Sequence, residues 1–283
     1  MKAATPSIPS YATVFAVNRI ALNVGSGSGV AIGGLIAVAS QPSSYRILFI
    51  GNAVTYLFFG AVVAMLHVPR AAQVPDHLPT PSFRLLLSNR WFIQLVILDL
   101  ITALAFAVGF ELLPVHVVDR LGISNKTFGI MFAFSCVAVA AAQLPMVKFM
   151  RGRIRMRAYT IMHVLFAGLT ALAAVAAGLN HAGRIWIMAV VFIGFGFVET
   201  IFGAVRPSLT TELVDASLHG RAFALGALAF SFGSAAYKAG GGALMDRSLT
   251  LPWIISALIL LAGAIASHRM ARTIPTTSSR NPL

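Results

Sequence analysis

Five ionisable residues interrupt long apolar stretches of this 283-residue chain: Asp99, Glu111, Glu199, Arg206 and Lys238. A charge at the centre of a membrane helix costs about 2.5–3.5 kcal/mol on insertion scales, so such groups are expected to face a partner or an aqueous cavity. For Asp99 and Glu199 the chemistry suggested is proton binding and release, because a carboxyl in low dielectric can exchange its proton near neutral pH. The competing reading is a hydrogen-bonded structural carboxyl, and both stay open. With a rise of about 1.5 Å per residue, Asp99 and Glu199 fall at similar depth, roughly 10–12 Å from the inner boundary. Glu111 and Lys238 fall at the opposite end, where an ion pair is expected to act structurally or as a gate. Arg206, just before Pro207, is expected to snorkel at the inner edge.

Other chemistry has little support. Seven histidines are scattered singly, and Cys136 is the lone cysteine. An intrachain disulfide and a multi-cysteine metal site are therefore excluded. No nucleophile–base arrangement emerges, so neither an enzyme nor a cofactor is expected. His163 reads as a satisfied packing residue. The run Gly25-Ser26-Gly27-Ser28-Gly29 follows no strand and precedes no Lys-Ser/Thr pair, which argues against a phosphate loop. Gly25, Gly29 and Gly33, with Gly34 beside them, instead share a helix face on which a neighbour can approach closely.

The elements that carry these residues follow from composition. The chain is 58% hydrophobic, only 10% charged, and has a mean hydropathy of +0.85. A water-facing surface needs about 25% charged residues, so lipid is the expected surrounding. Apolar runs of about 20 residues, without strand alternation, indicate helices. Eight spans are expected near 18–40, 45–68, 90–115, 126–150, 157–179, 184–213, 218–246 and 251–272. The fold class is thus all-α, a polytopic membrane helix bundle. The net charge of +13 would suggest nucleic acid in a soluble protein. Here fourteen of 21 Lys and Arg fall on one side of the alternating spans, led by the cluster from Lys148 to Arg157, and five on the other. That bias places both termini in the cytoplasm, in a multi-pass protein of the cell inner membrane with no nucleic-acid partner.

Residues 69–89 carry Pro69, Pro75, Pro79 and Pro81, and read as a linker between bundles. They separate two helices in 1–68 from six in 90–272, with a tail over 273–283. Gly25, Gly33 and Gly34 align with Gly233, Gly241 and Gly242 at a constant offset, so the first and seventh spans look like a repeat. The alternative is chance likeness between glycine-rich helices.

With this spacing, the chain resembles the major facilitator superfamily, in particular its drug:proton antiporter-like branch. The likeness rests on Gly25-x3-Gly29-Val30-x2-Gly33-Gly34, on Leu113-Pro114, Leu121-Gly122, Ser124, Gly129 and Gln143-Leu144-Pro145, and on the basic loop from Arg151 to Arg157. Val30 stands where the antiporter motif has proline, and the loop lacks the aspartate often found there. The resemblance implies helices five to twelve of a twelve-helix fold, with the first four lacking. It also implies alternating access for a small-molecule substrate in the lipid bilayer, with protons as candidate co-substrate in efflux. Helices seven, ten and eleven, which line the family's cavity, hold all five charges. A truncated, non-transporting remnant is one rival reading. A membrane-embedded enzyme acting on lipids is another, and would need clustered Asp, His or Cys near an interface.

Overall fold

A computed structural model of the chain describes residues 11–36, 41–66, 83–150 and 152–274. Every regular element among them is helical. The eight long helices are α1 (Tyr11–Ile36), α2 (Pro42–Met65), α4 (Arg90–Phe106), α5 (Asn125–Phe149), α6 (Arg155–Val175), α7 (His181–Leu213), α8 (His219–Arg247) and α9 (Leu251–Thr273), with a six-residue α3 (Phe83–Ser88) before α4. Six of them, all but α1 and α8, are long and apolar enough by composition alone to cross a membrane, α4 when taken on to Leu112. The glycine and serine content of α1 and α8 sets those two apart, since both are long enough to span. The protein is an all-α membrane helix bundle.

Side chains start these helices where the turns were legible. Ser124 accepts from the Thr127 amide at the head of α5, and Asn180 from the Gly183 amide at the head of α7. Asn89 caps α4 by accepting from the Trp91 and Phe92 amides at 3.1 Å, while its own amide nitrogen donates to the Leu213 carbonyl at 2.7 Å. The start of α4 is thereby tied to the end of α7. Gly122, at φ 69°, supplies the left-handed turn that leads into α5.

Beyond Phe106, α4 continues as two π-helical stretches, Ala107–Leu112 and Val115–Arg120, on either side of Leu113-Pro114. Proline has no amide hydrogen and its ring crowds the carbonyl four residues back, so a wider turn relieves both problems. Phe110, in the first of these stretches, lines the cavity described below.

The main pairings are α6 with α9, α1 with α5, α4 with α8, and α7 with both α5 and α6. The principal core is built from Phe106, Tyr159, Phe166, Phe195, Trp253 and their neighbours. In α2, by contrast, Phe49, Leu57, Phe58 and Met65 are exposed, as are Phe134, Trp186 and Phe232 elsewhere. An outer surface of this kind belongs in hydrocarbon. Of the stretch read as a linker, residues 69–82 lie outside the described residues. Its end is the helix α3, whose Leu86 is buried with Phe92, Val214, Leu218 and Ala222. The tail from residue 275 also lies outside them.

Candidate functional site

α1, α5 and α7 meet around Glu199, a residue of α7 that is 8% exposed. Its Oε1 receives the Arg19 guanidinium through Nη2 at 2.8 Å and the Asn23 amide at 3.0 Å. Arg19 and Asn23 sit one turn apart on α1, and the Asn23 amide also donates to the Arg19 carbonyl. Gly203 lies one turn along α7 from Glu199. A Cβ at Gly203 would touch the Arg19 stem and Gln143 of α5.

A second buried ion pair joins α4 to α7. Arg206 donates from Nε and Nη2 to Asp99 Oδ2 at 3.1 and 3.0 Å. The other oxygen, Oδ1, accepts from the Tyr159 hydroxyl at 3.1 Å. The polar chain continues from Tyr159 to Thr102 at 3.3 Å, and from Thr102 to His163 Nε2 at 3.1 Å. His163 Nδ1 lies 2.9 Å from the Tyr159 carbonyl, which can only accept, so Nδ1 carries a proton. Room for this network is made by glycines on two further helices. A Cβ at Gly226 of α8 would run into the Arg206 guanidinium, and one at Gly263 of α9 into the His163 ring.

Arg206 does not snorkel. Its side chain is 14% exposed and turned inward to a carboxylate that is 2% exposed. The reason is electrostatic: Asp99, one helix away, offers a full counter-charge, which the rim does not. The two carboxylates expected in one layer each have their own arginine. Glu111 and Lys238 do form an ion pair, at 2.9 Å, and both are about half exposed. Arg120 and Asp246 pair beyond them, so the far ends of the α4 extension and α8 are cross-linked twice by charge. Near the opposite end of α7, Arg155 pairs with Glu212.

The glycine face is arranged differently from its sequence expectation. A Cβ at Gly25, Gly29 or Gly33 would meet nothing within 4 Å, whereas one at Gly27 would touch Cys136 of α5. Two residues correspond to about 200° around a helix, so Gly27 looks the opposite way and makes the α1–α5 approach. The surroundings of Gly34 lie outside the described residues. In α8 two of the three aligned positions are packed, Gly233 against Leu100 and Ala103 of α4 and Gly241 against Leu112, while a Cβ at Gly242 would meet nothing within 4 Å. The α1 face is therefore open to lipid or a further helix where its α8 counterpart holds α4.

Between these pairs lies a cavity of about 560 Å³, walled by α1, α4 and its extension, α5, α7 and α8. Arg19, Asn23, Glu199 and Arg206 line it, together with Phe106, Phe110, Phe132, Phe202 and Phe230. The rings touch one another, Phe106 meeting Phe110, Phe202 and Phe230 at centroid distances of 5.2, 5.3 and 5.8 Å. Asp99 is set back behind Arg206. A volume of this size suits a small organic molecule, with apolar walls and a few charged groups to orient it. Among the described residues no cluster of His, Cys, Asp and Glu is arranged to hold a metal ion.

Sequence reasoning missed Arg19, Asn23, Thr102 and Tyr159. One signal was present: three acids and two bases within spans leave one acid unpaired, and Arg19 lies at the start of the neighbouring helix. Tyr159 and His163, four apart in an apolar run, were a second.

The sequence profile of the Major Facilitator Superfamily matches residues 3–236. A search of curated proteins found no match.

Proposed function

The chain belongs to the major facilitator superfamily, and we propose that it carries a small organic solute by alternating access, coupled to protons through Glu199. The coarser part follows from the family: this is a multi-pass membrane protein of a transporter type, which points to carriage rather than enzymatic turnover. The finer part rests on one observation. An aromatic cavity of about 560 Å³ holds a carboxylate whose counter-ion comes from a different helix.

A pair split between α1 and α7 is suited to coupling. Protonating Glu199 removes the attraction that holds Arg19, and with it a link between two helices; deprotonation restores the link. A rocking motion of one helix group against another breaks contacts of this kind, and binding energy at the cavity can bias it. The antiporter-like glycine run favours export. The positive charge gathered between α5 and α6 favours an inner membrane with cytoplasmic ends. The Glu111–Lys238 pair is read as a gate at the far end, since both members sit on helices that also wall the cavity.

The test is transport by the purified protein in vesicles with an imposed pH gradient, across a panel of anionic, neutral and cationic solutes. Glu199→Gln should insert normally and lose the pH dependence of transport. Unchanged pH dependence in that variant would remove Glu199 from the mechanism. Failure of the wild-type protein to move any solute would remove the carrier reading itself.

A further inference from the structure

The charges around the cavity are arranged unequally. In the Arg19–Glu199 pair the cation is 28% exposed and the carboxylate 10%; in the Arg206–Asp99 pair the figures are 14% and 2%. In both, the guanidinium stands in front and the acid behind. A molecule in the cavity meets two cations and one partly covered anion, which repels positively charged guests and attracts negative ones.

The two guanidiniums are also used differently. Arg206 spends both Nε and Nη2 on Asp99. Arg19 uses Nη2 for Glu199, while its buried Nε has no hydrogen-bond partner among the described residues. Nε and Nη2 lie on one edge of the guanidinium, the fork that receives the two oxygens of a carboxylate. On Arg19 that fork is half filled. A buried donor left without an acceptor is destabilising, so a ligand that supplied one would recover that loss. Phe106, Phe110, Phe202 and Phe230 offer an apolar wall to the same cavity.

We propose that the substrate is a small organic anion, a carboxylate on an aromatic or otherwise apolar body, which seats its carboxylate on the Nε–Nη2 edge of Arg19 and its body against the phenylalanines. This rests on the carrier reading above and gives it a substrate class. As the ligand's carboxylate takes the fork, the Arg19–Glu199 hydrogen bond breaks. A proton from water joins Glu199 at Oε2, leaving Oε1 to accept from Asn23. The empty site, with Arg19 and Glu199 ionised, has no net charge, and neither has the site holding one anion and one proton. Adding the anion alone leaves a surplus negative charge, and adding the proton alone a surplus positive one, each costly away from water. The balanced states are therefore the ones that reorient, and anion and proton travel together; this co-transport departs from the exchange that the antiporter-like glycine run favours, and the sign of the pH dependence in vesicles separates the two. Besides Arg19 and Asn23 from α1, Glu199 has Cys136 of α5 within electrostatic reach and Arg206 on its own helix lining the same cavity.

The experiment is calorimetric titration of the purified full chain near neutral pH with benzoate, benzamide and benzylamine, three rings that differ in charge, in two buffers of different protonation enthalpy. Benzoate should bind with uptake of about one proton, and the neutral and cationic rings at least about tenfold more weakly. Arg19→Gln should reduce benzoate to the level of benzamide, and Arg19→Lys, which keeps the charge but not the fork, should fall between. Glu199→Gln should bind benzoate without taking up a proton. Equal or tighter binding of benzylamine, benzoate binding indifferent to Arg19→Gln, or no binding of benzoate at all would each overturn the inference. If vesicles then move the amine or the amide under a pH gradient, the carrier reading survives its loss; if they move no solute of any charge, both fall.

Discussion

Asp99→Asn tests the central ion pair most directly. The substitution keeps the size of the side chain and removes the charge that three donors address: Arg206 Nε, Arg206 Nη2 and the Tyr159 hydroxyl. Arg206 cannot give up its proton, so a guanidinium only 14% exposed is left without a counter-ion. Removing one partner of a buried pair costs about 3–5 kcal/mol in soluble proteins. In a micelle or bilayer the unfolded chain also finds partners for its polar groups, which trims such penalties, so about 3 kcal/mol is expected. That is roughly a hundredfold in the folding equilibrium. The double variant Asp99→Asn with Arg206→Gln removes both charges and leaves two amides in hydrogen-bonding reach. It should return to within about 1 kcal/mol of wild type, giving a coupling energy of at least about 2 kcal/mol in the cycle. The assay is equilibrium unfolding in mixed micelles, followed by tryptophan fluorescence and helical circular dichroism. A single variant as stable as wild type, or a cycle in which the two changes simply add, would refute the placement of Arg206 against Asp99.

Gly226→Ala should behave like a mild form of the same lesion, because the added methyl takes the place of the Arg206 guanidinium. A loss of about 1–3 kcal/mol is expected in the same unfolding assay. On α1 the glycines should divide by face: Gly27→Val, which meets Cys136, lowers the unfolding midpoint. Gly25→Ala and Gly29→Ala, which meet nothing, should leave it unchanged or raise stability by about 0.5–1 kcal/mol through helix propensity. Trp253, fully buried with its indole nitrogen donating to His116 at 3.3 Å, should cost about 3–5 kcal/mol as Trp253→Ala. Its loss should also remove much of the fluorescence change on unfolding.

The class of the protein was written in its composition. A chain with so few charges and apolar runs of this length has one solvent in which its backbone can be satisfied, and that constraint is local enough to read residue by residue. Helix starts at Ser124 and Asn180 were legible for the same reason, since a cap and the amide it receives are three residues apart. The Glu111–Lys238 pair was also within reach, because depth along a helix follows from counting. Pairing around the helix axis was not. Whether Arg206 turns to the rim or to Asp99, and whether α1 packs through Gly25 or Gly27, depends on which helix lies alongside and at what rotation. Small residues ring α1 on more than one side, so its sequence permits several neighbours. The choice among them, and with it the meeting of Arg19 with Glu199 and of Tyr159 with Asp99, is settled when the helices pack, because a buried charge is stable where a counter-charge from another helix happens to reach it.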